Sequence, residues 1–388
     1  MTSVRISGSA PAAADLRPLY GGAFLAYADR FTIPPVLVAI STDLERSLAA
    51  VAAIATAYFF VYAALQPVYG LLSDRLGRVR VMRAAVVGMA AAAPELSALV
   101  AAKALAAGFA ASLLPTSLVY VADRVPFASR QHVIANLLAA GALGTTLATL
   151  SAGLLASFVS WRAAFAILAA VALVLAAAIG RVPESLAAER RAGPLTQIRR
   201  VMSRRWALFV VGLAVAEGAT MVGFITFLAP ALQSGGQSAA VAGLVFAAYG
   251  VAVFVGMQVL KRVIRTTGAR APALIAVGGS LLLVAYLTAA AGQGPLNILV
   301  ASAVIGLGYC FMHSTLQTWA TEVAPEARGT ATALFVTAVF IGAALGTAAV
   351  SGLADEHRYG VLFLVAAAVA VAVTVIGAVA RTRYRAPS

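Results

Sequence analysis

The chain has 388 residues and a formal net charge of +14, yet 62% of its residues are hydrophobic and only 11% are charged. A soluble protein of this length carries about 25% charged residues, so the composition excludes a soluble domain. Long apolar stretches joined by short polar links predict an all-α membrane protein, because helices satisfy their own backbone hydrogen bonds in lipid.

Twelve apolar stretches have the length of a membrane-spanning helix. Numbered in chain order as spans 1 to 12, they cover residues 18–40, 48–72, 79–94, 97–122, 132–158, 162–181, 206–232, 239–264, 271–291, 296–320, 329–353 and 359–380. The N-terminal residues lack the charged, apolar and cleavage regions of a signal peptide, so span 1 is expected to serve as its own insertion signal.

The lysines and arginines lie almost entirely on one side of these spans. Of the 28 basic residues, 23 fall in links that share a side with the N-terminus, whereas the opposite links hold only Arg46, Arg162 and Arg358. The positive-inside rule then predicts cytoplasmic termini and a multi-pass protein of the plasma (cell inner) membrane. The positive charge is therefore a topology signal, and no nucleic-acid partner is expected.

The longest polar stretch, residues 183–205, divides the chain into two halves of six spans each. The predicted domains are an N-terminal bundle over 1–182 and a C-terminal bundle over 206–388. We expect the stretch between them to be a cytoplasmic linker in solvent, with an amphipathic helix on the lipid surface as the alternative.

The two halves are related in sequence. Ala142-Leu143-Gly144-Thr145 recurs as Ala344-Leu345-Gly346-Thr347, and Tyr58 in span 2 is matched by Tyr249 in span 8. Parallel duplication of a six-helix unit is typical of carriers whose halves rock around a site near the membrane midplane.

The link between spans 2 and 3 carries a spaced motif, Gly70-Leu71-Leu72-Ser73-Asp74-Arg75-Leu76-Gly77-Arg78. Its pattern, G-x-x-x-D-R-x-G-R, resembles the signature loop between helices 2 and 3 of the major facilitator superfamily. Ala324-Pro325-Glu326-Ala327-Arg328-Gly329, before span 11, is similar to the P-x-x-R-G of that family. The resemblance implies the major facilitator fold, with twelve transmembrane helices in two pseudo-symmetric six-helix halves that work by alternating access.

In that family the loop between helices 2 and 3 acts as a conformational latch on the cytoplasmic side. The resemblance gives this role to Gly70, Asp74, Arg75, Gly77 and Arg78. The glycines let the backbone turn sharply, and the arginines keep the turn at an aqueous surface.

Three further stretches indicate which branch of the family the chain resembles. Trp161-Arg162-Ala163-Ala164-Phe165 resembles the start of helix 6 in the drug–proton antiporter branch. Span 5 departs from that branch, since Gly141-Ala142-Leu143-Gly144-Thr145-Thr146 lacks the proline of its G-x-x-x-G-P-x-x-G pattern. Asp29-Arg30-Phe31-Thr32 resembles the first helix of spinster-like lysolipid transporters. The sequence pattern is thus closest to the antiporter branch, and a lysolipid carrier remains an alternative.

Ionisable side chains inside membrane spans are functional candidates, because an unpaired charge in lipid is costly. Here they fall on spans 1, 4, 7 and 10, which the resemblance identifies as the helices that line the central cavity. The candidates for proton coupling and the substrate cavity are Asp29, Arg30, Lys103, Glu217, His313 and Gln317.

For several of these residues, the alternative to a functional role is a purely structural one. Lys103 would then extend its amine to the outer surface, and His313 would only form a hydrogen bond within the core. Asp29 and Arg30 lie about 100° apart on a helix, so they do not simply face each other. Glu217 has no basic neighbour in sequence, so we expect it to take up a proton near neutral pH, with Asp29 ionised for the substrate or Arg30.

The predicted function is proton-coupled export of a small amphipathic compound or drug by a monomeric carrier in the lipid bilayer. The alternatives are an importer or a lysolipid or organic-anion carrier and, from another class, a non-transporting sensor or an enzyme. An enzyme is not expected, because His132, His313 and His357 have no metal-ligand spacing and the sequence has no phosphate-binding glycine loop. No metal and no cofactor are expected either.

Overall fold

The computed structural model describes residues 15–88, 96–184 and 194–385, and within these ranges the regular secondary structure is helical throughout. The α-helices are Arg17–Phe31, Ile33–Asp43, Leu48–Leu76, Arg78–Gly88, Leu96–Arg124, Phe127–Phe158, Trp161–Ile179, Pro194–Met202, Arg205–Gly218, Leu228–Ser234, Ala239–Thr267, Ala271–Ala291, Pro295–Glu322, Arg328–Asp355 and Tyr359–Arg383. An all-helical membrane protein is therefore confirmed for the described part of the chain.

Eleven of the twelve predicted spans are complete in the described residues. Ten helices are long and apolar enough to cross a membrane, and the pair Arg17–Phe31 and Ile33–Asp43, bent by 43°, forms one more. The third predicted span, 79–94, is described only as the helix Arg78–Gly88, because residues 89–95 lie outside the described part.

Local sequence explains where several helices begin and end. The Ser160 hydroxyl accepts a hydrogen bond from the Arg162 amide at the start of span 6, and Ser238 caps span 8 in the same way. Span 8 ends at Gly268, whose φ of +60° is a left-handed conformation that glycine adopts without strain.

The bend in span 1 follows directly after the charged pair Asp29 and Arg30. Pro34 and Pro35 open the second helix, and neither proline has an N–H to continue the hydrogen bonds of the first helix. The Thr32 hydroxyl instead donates to the Ala28 carbonyl oxygen at 2.8 Å. The two charges therefore lie on the last turn before a fixed bend.

Span 7 is also interrupted, although its sequence predicts one continuous helix. After Arg205–Gly218 the backbone passes through a π turn at Ala219–Gly223 and a 3₁₀ turn at Phe224–Phe227. The Tyr286 hydroxyl from span 9 donates to the Thr220 carbonyl within the π turn. Backbone hydrogen bonds that the break loosens are thus replaced by a side chain from a neighbouring helix.

The two halves meet along two pairs of helices, span 2 with span 11 and span 5 with span 8. Gly153 and Gly243 let spans 5 and 8 approach closely, because a Cβ on either glycine would overlap the backbone of the other helix. Both glycines lie near the end of the bundle opposite the chain termini.

Three polar contacts join the two halves among the described residues, and all lie at that same end. The Gln233 amide donates to the Pro35 carbonyl oxygen at 3.2 Å. The Ala49 amide donates to Asp355 Oδ1 at 3.3 Å, and the Ala240 amide donates to the Ser157 hydroxyl at 2.8 Å. The halves are therefore closed on the side that the positive-inside rule assigns to the outside.

The linker packs on the C-terminal half where it is described. The helix Pro194–Met202 places Gln197 within 2.8 Å of the Thr330 hydroxyl, which donates to it. Arg204 pairs with Glu326 at 2.8 Å. The segment contains a helix rather than solvated coil alone, while the domain limits 1–182 and 206–388 remain predictions.

Candidate functional site

A buried ion pair joins spans 1 and 4. The Lys103 ammonium group donates to Asp29 Oδ1, and both side chains are almost fully buried. The Lys103 Nζ also lies 4.9 Å from the centroid of the Phe165 ring and 5.7 Å from that of Tyr58. Lys103 therefore does not extend to the outer surface, and it gives Asp29 a cation partner that the sequence did not identify.

Arg30 points away from this pair, into a cage of four aromatic rings. The distances from its Cζ to the ring centroids are 4.5 Å for Phe340, 5.1 Å for Tyr62, 5.2 Å for Tyr27 and 6.0 Å for Phe31. Rings at this distance attract a guanidinium group through their quadrupoles. Since Phe340 belongs to the C-terminal half, the cage straddles the interface between the halves.

Arg30 has no acidic partner among the described residues. The neighbouring Asp29 is turned to Lys103, and the Arg30 Nε is buried without a hydrogen-bond partner. The adjacent positions on the helix explain the separation, because side chains about 100° apart face different helices. A cation within the membrane is thus surrounded by aromatic rings, and its Nε donor has no partner within the described residues.

A second pair lies in the C-terminal half. His313 Nδ1 is 2.9 Å from Glu217 Oε1. Glu217 is fully buried, whereas the His313 side chain is 12% exposed. The second carboxylate oxygen, Oε2, is buried with no hydrogen-bond partner in the described structure. The sequence left the partner of Glu217 open, and the structure places it in the same half rather than across the cavity.

His313 is held in position by rings on both sides. Tyr309 stacks on its imidazole with centroids 4.5 Å apart and planes 15° apart, and Phe335 lies 5.6 Å away. Gln317, one turn further along span 10, is half-buried and has no hydrogen bond within the described residues. The contact places a carboxylate oxygen and an imidazole nitrogen within hydrogen-bond distance, so one proton can lie between them.

A chain of rings connects the two sites. Phe31, one wall of the Arg30 cage, stacks on Tyr249 at 5.4 Å; Tyr249 contacts Tyr309 at 6.5 Å, and Tyr309 stacks on His313. The path crosses from the N-terminal to the C-terminal half at its first step. It provides a packed connection between the caged cation and the protonatable pair.

Sequence reasoning named Tyr27 and Phe31 as possible aromatic lining of the cavity but missed the other two rings of the cage. Tyr62 and Phe340, two walls of the cage, carried no signal beyond being aromatic residues inside spans. Tyr249 had one signal, since it is the repeat counterpart of Tyr58, which itself lies beside the Asp29–Lys103 pair. The sequence match between Tyr58 and Tyr249 thus indicated two positions near the site, but it did not indicate which side chains they contact.

The predicted latch is described in part. Gly77 has a φ of +97°, as a tight turn requires, and the Arg78 Nε lies 3.4 Å from Asp123 Oδ2 of span 4. The side chains of Gly70, Asp74 and Arg75 lie outside the described residues. Their role as a latch remains a prediction.

Glu184, which follows span 6, is a neighbour of this turn that the sequence did not identify. Its carboxylate accepts hydrogen bonds from the amides of Val79 at 2.9 Å and Arg80 at 3.1 Å. A carboxylate at the first turn of a helix satisfies free N–H groups and opposes the helix dipole. The start of span 3 is thereby fixed to the end of span 6.

The sequence model of the Major Facilitator Superfamily matches residues 19–347, and again residues 226–388. The chain belongs to the major facilitator superfamily. The predicted fold is thus confirmed, and this major facilitator is a multi-pass membrane transporter rather than an enzyme. A comparison with curated protein sequences finds no match.

Solved structures of the same fold include two kinds of transporter. The nucleoside transporter NupG is 13% identical with a TM-score of 0.76, over 95% of this chain and 99% of that one. A bacterial homologue of the human lysosomal transporter Spinster, in an inward-facing and unoccupied conformation, is 18% identical with a TM-score of 0.70, over 93% and 96%. At these identities the likeness concerns the fold alone, and the drug–proton antiporter branch remains a prediction for this major facilitator.

Proposed function

We propose that this carrier moves a small amphipathic organic anion by proton-coupled alternating access. The observation that carries the proposal is Arg30, a guanidinium group inside the membrane that has rings but no carboxylate around it. An unpaired cation in such a place is costly. A carboxylate, phosphate or sulfonate of the substrate would offset that cost, and the rings would hold the apolar part of the same molecule.

The location of Arg30 supports a role in transport. It lies thirteen positions after Arg17 at the start of the helix, which places it about 20 Å along the span. Phe340 reaches it from the other half. A substrate bound there would contact both halves, and its preference for one arrangement of the cage would shift the equilibrium between conformations.

The Glu217–His313 pair is the proposed proton site. His313 is the more exposed partner, so a proton would reach the imidazole first and be shared with the buried Glu217 carboxylate. The bound proton makes the cavity more positive and thereby strengthens the binding of an anion. Anion binding should therefore tighten as the pH falls, which favours movement of the proton and the anion in the same direction.

Proton-driven export of a small amphipathic compound or drug is the second candidate. It is favoured by the antiporter-like segment Trp161-Arg162-Ala163-Ala164-Phe165. The Trp161 indole and the Arg162 guanidinium donate to Asp43 Oδ2 at 3.2 and 2.7 Å, which fixes this segment to the end of span 1. In an exporter the proton and the substrate alternate, so substrate binding should weaken as the pH falls.

The test is a binding and transport panel built on one apolar ring system. An aryl carboxylate, the matched neutral amide and the matched primary amine would be compared on the purified carrier and in proteoliposomes, at pH 5.5 and 7.5. The carboxylate should bind best to the wild type, bind more tightly at the lower pH and lose its advantage in Arg30→Gln. Arg46→Gln, which removes an exposed arginine from an outer link, is the control.

Two outcomes would overturn the proposal. One is an advantage of the amine or the amide that persists in Arg30→Gln. The other is equal binding of the carboxylate to the wild type and Arg30→Gln, with Arg30→Lys included as a variant that keeps the charge. Tighter carboxylate binding at the higher pH would instead support the export candidate.

A further inference from the structure

A groove of about 390 Å³ runs along the outside of the N-terminal half, between spans 1 and 6. Its walls are apolar throughout and include Phe24, Val171 and Val174. Gly21 opens the groove on the side of span 1, because a Cβ at that position would come within 2.7 Å of the Leu175 side chain. Val174 is 74% exposed, so the groove faces the surroundings of the bundle rather than its core.

Two arginines lie at the end of the groove toward the chain termini. Arg17 is one helical turn before Gly21. The Arg181 Nη1 donates to the Ala177 carbonyl oxygen at 3.2 Å, beside the groove wall.

These cations are largely free of acidic partners. Arg181 forms no ion pair within the described residues, and it is exposed. Arg17 has Asp15 at 3.9 Å, with both side chains mostly in solvent. The nearby Glu184 carboxylate is already occupied by the amides at the start of span 3. The end of the groove is therefore positively charged.

We propose that the groove and its arginines bind one anionic phospholipid from the leaflet on the side of the termini. One acyl chain would lie in the groove, and the headgroup phosphate would contact the guanidinium groups. An apolar groove that ends in cations matches this shape and charge, and basic pockets beside membrane helices attract anionic headgroups. A zwitterionic lipid brings its own cation to the same arginines, so it binds more weakly.

The headgroup is tested by native mass spectrometry of the purified full chain with phosphatidylglycerol or phosphatidylcholine of the same acyl chains. The wild type should retain phosphatidylglycerol preferentially. Each arginine near the surface contributes about fivefold to the binding of an anionic lipid, so the double variant Arg17→Gln/Arg181→Gln should lose most of the preference. Arg262→Gln/Arg265→Gln removes the same charge from the exposed end of span 8 and should keep it.

The acyl chain is tested separately. Ala170→Trp fills the groove and should release phosphatidylglycerol, whereas Val375→Trp, on the exposed face of span 12, should not. Size-exclusion profiles identify any variant that fails to fold. Equal retention of both lipids by the wild type, or an unchanged preference in the double arginine variant, would refute the proposal. Displacement of phosphatidylglycerol by the carboxylate substrate probe would also refute it, because the groove would then belong to the transport path.

Discussion

Phe31 of the N-terminal half stacks on Tyr249 of the C-terminal half, with ring centroids 5.4 Å apart and planes 28° apart. Phe31 is a wall of the Arg30 cage, and Tyr249 leads through Tyr309 to His313. The stack therefore lies between the proposed anion site and the proposed proton site, on the interface that has to move during transport.

We expect Tyr249→Leu to weaken the coupling between the two sites. Coupling between binding sites in proteins is commonly about 5- to 150-fold in affinity, and the loss of the stack should reduce the tightening of carboxylate binding at pH 5.5 to less than about threefold. Titrations at two pH values measure this effect. Phe254→Leu, on the exposed face of the same span, should behave as the wild type; a pH response in Tyr249→Leu equal to that of the wild type would exclude the stack from coupling.

The Asp29–Lys103 pair should respond differently to single and double substitution. Removing one partner of a buried pair leaves an uncompensated charge and costs about 3–5 kcal/mol, so Asp29→Asn and Lys103→Met should each melt well below the wild type. The double variant should recover most of the loss, because no charge is left. The buried Cys310 is the single cysteine of the chain, so a thiol-reactive dye reports the melting directly.

The recovery in the double variant distinguishes charge balance from a direct role of Asp29 in transport. If the double variant is stable and also binds the carboxylate probe, then Asp29 serves to neutralise Lys103. If it is stable but does not bind, then Asp29 or Lys103 contacts the substrate. A double variant that melts as low as the single variants would contradict the hypothesis that Asp29 and Lys103 stabilise the fold by neutralising each other's charge.

Glu217→Gln should separate proton coupling from substrate binding. The amide keeps the size of the side chain and still meets His313, but it does not ionise. We expect carboxylate binding and counterflow exchange to persist, while proton-driven accumulation in proteoliposomes is lost and binding no longer changes with pH. Glu356→Gln, in an exposed link, is the control. Accumulation by Glu217→Gln under an imposed pH gradient would assign the proton to another group, with Asp29 the first to examine.

Gly77→Ala should impair the turn between spans 2 and 3. At a φ of +97° an alanine is strained, and its Cβ would come within 2.6 Å of the Glu184 carboxyl carbon. A strained backbone position costs about 1–3 kcal/mol, so we expect a lower melting temperature together with slower transport. Gly212→Ala is the matched control, since no atom lies within 4 Å of the added methyl group. Normal melting and normal transport in Gly77→Ala would show that the turn tolerates a side chain.

The sequence predicted the spans well, because a span depends on local composition, whereas the roles of the ionisable residues within them remain predictions. Hydropathy identifies a helix in lipid, and an ionisable residue within it stands out. The breaks in span 7 were not predicted, since they depend on contacts such as that of Tyr286 with the Thr220 carbonyl, which joins residues far apart in the chain.

The pairs Glu217–His313 and Asp29–Lys103 show which part of the site the sequence could not predict. Glu217 lies about 16 Å into span 7, and His313 lies about 13 Å from the same side of the membrane in span 10. Similar depth made a contact feasible, and a similar argument applies to Asp29 and Lys103. Depth follows from counting residues, but the direction in which a side chain points depends on how neighbouring helices are rotated, and no local pattern determines that rotation.

The three polar contacts that close the outer end each join a backbone group to one side chain, and none is an ion pair. Each of the two bonds between neutral groups contributes about 0.5–1.5 kcal/mol, and the bond to the Asp355 carboxylate contributes about 1.5–3 kcal/mol. One proton that moves down a gradient of one pH unit releases about 1.4 kcal/mol. The thermodynamic work available from a modest proton gradient is thus of the same order as one of the neutral bonds, so these bonds alone do not hold the outer end shut against a proton gradient of a few pH units.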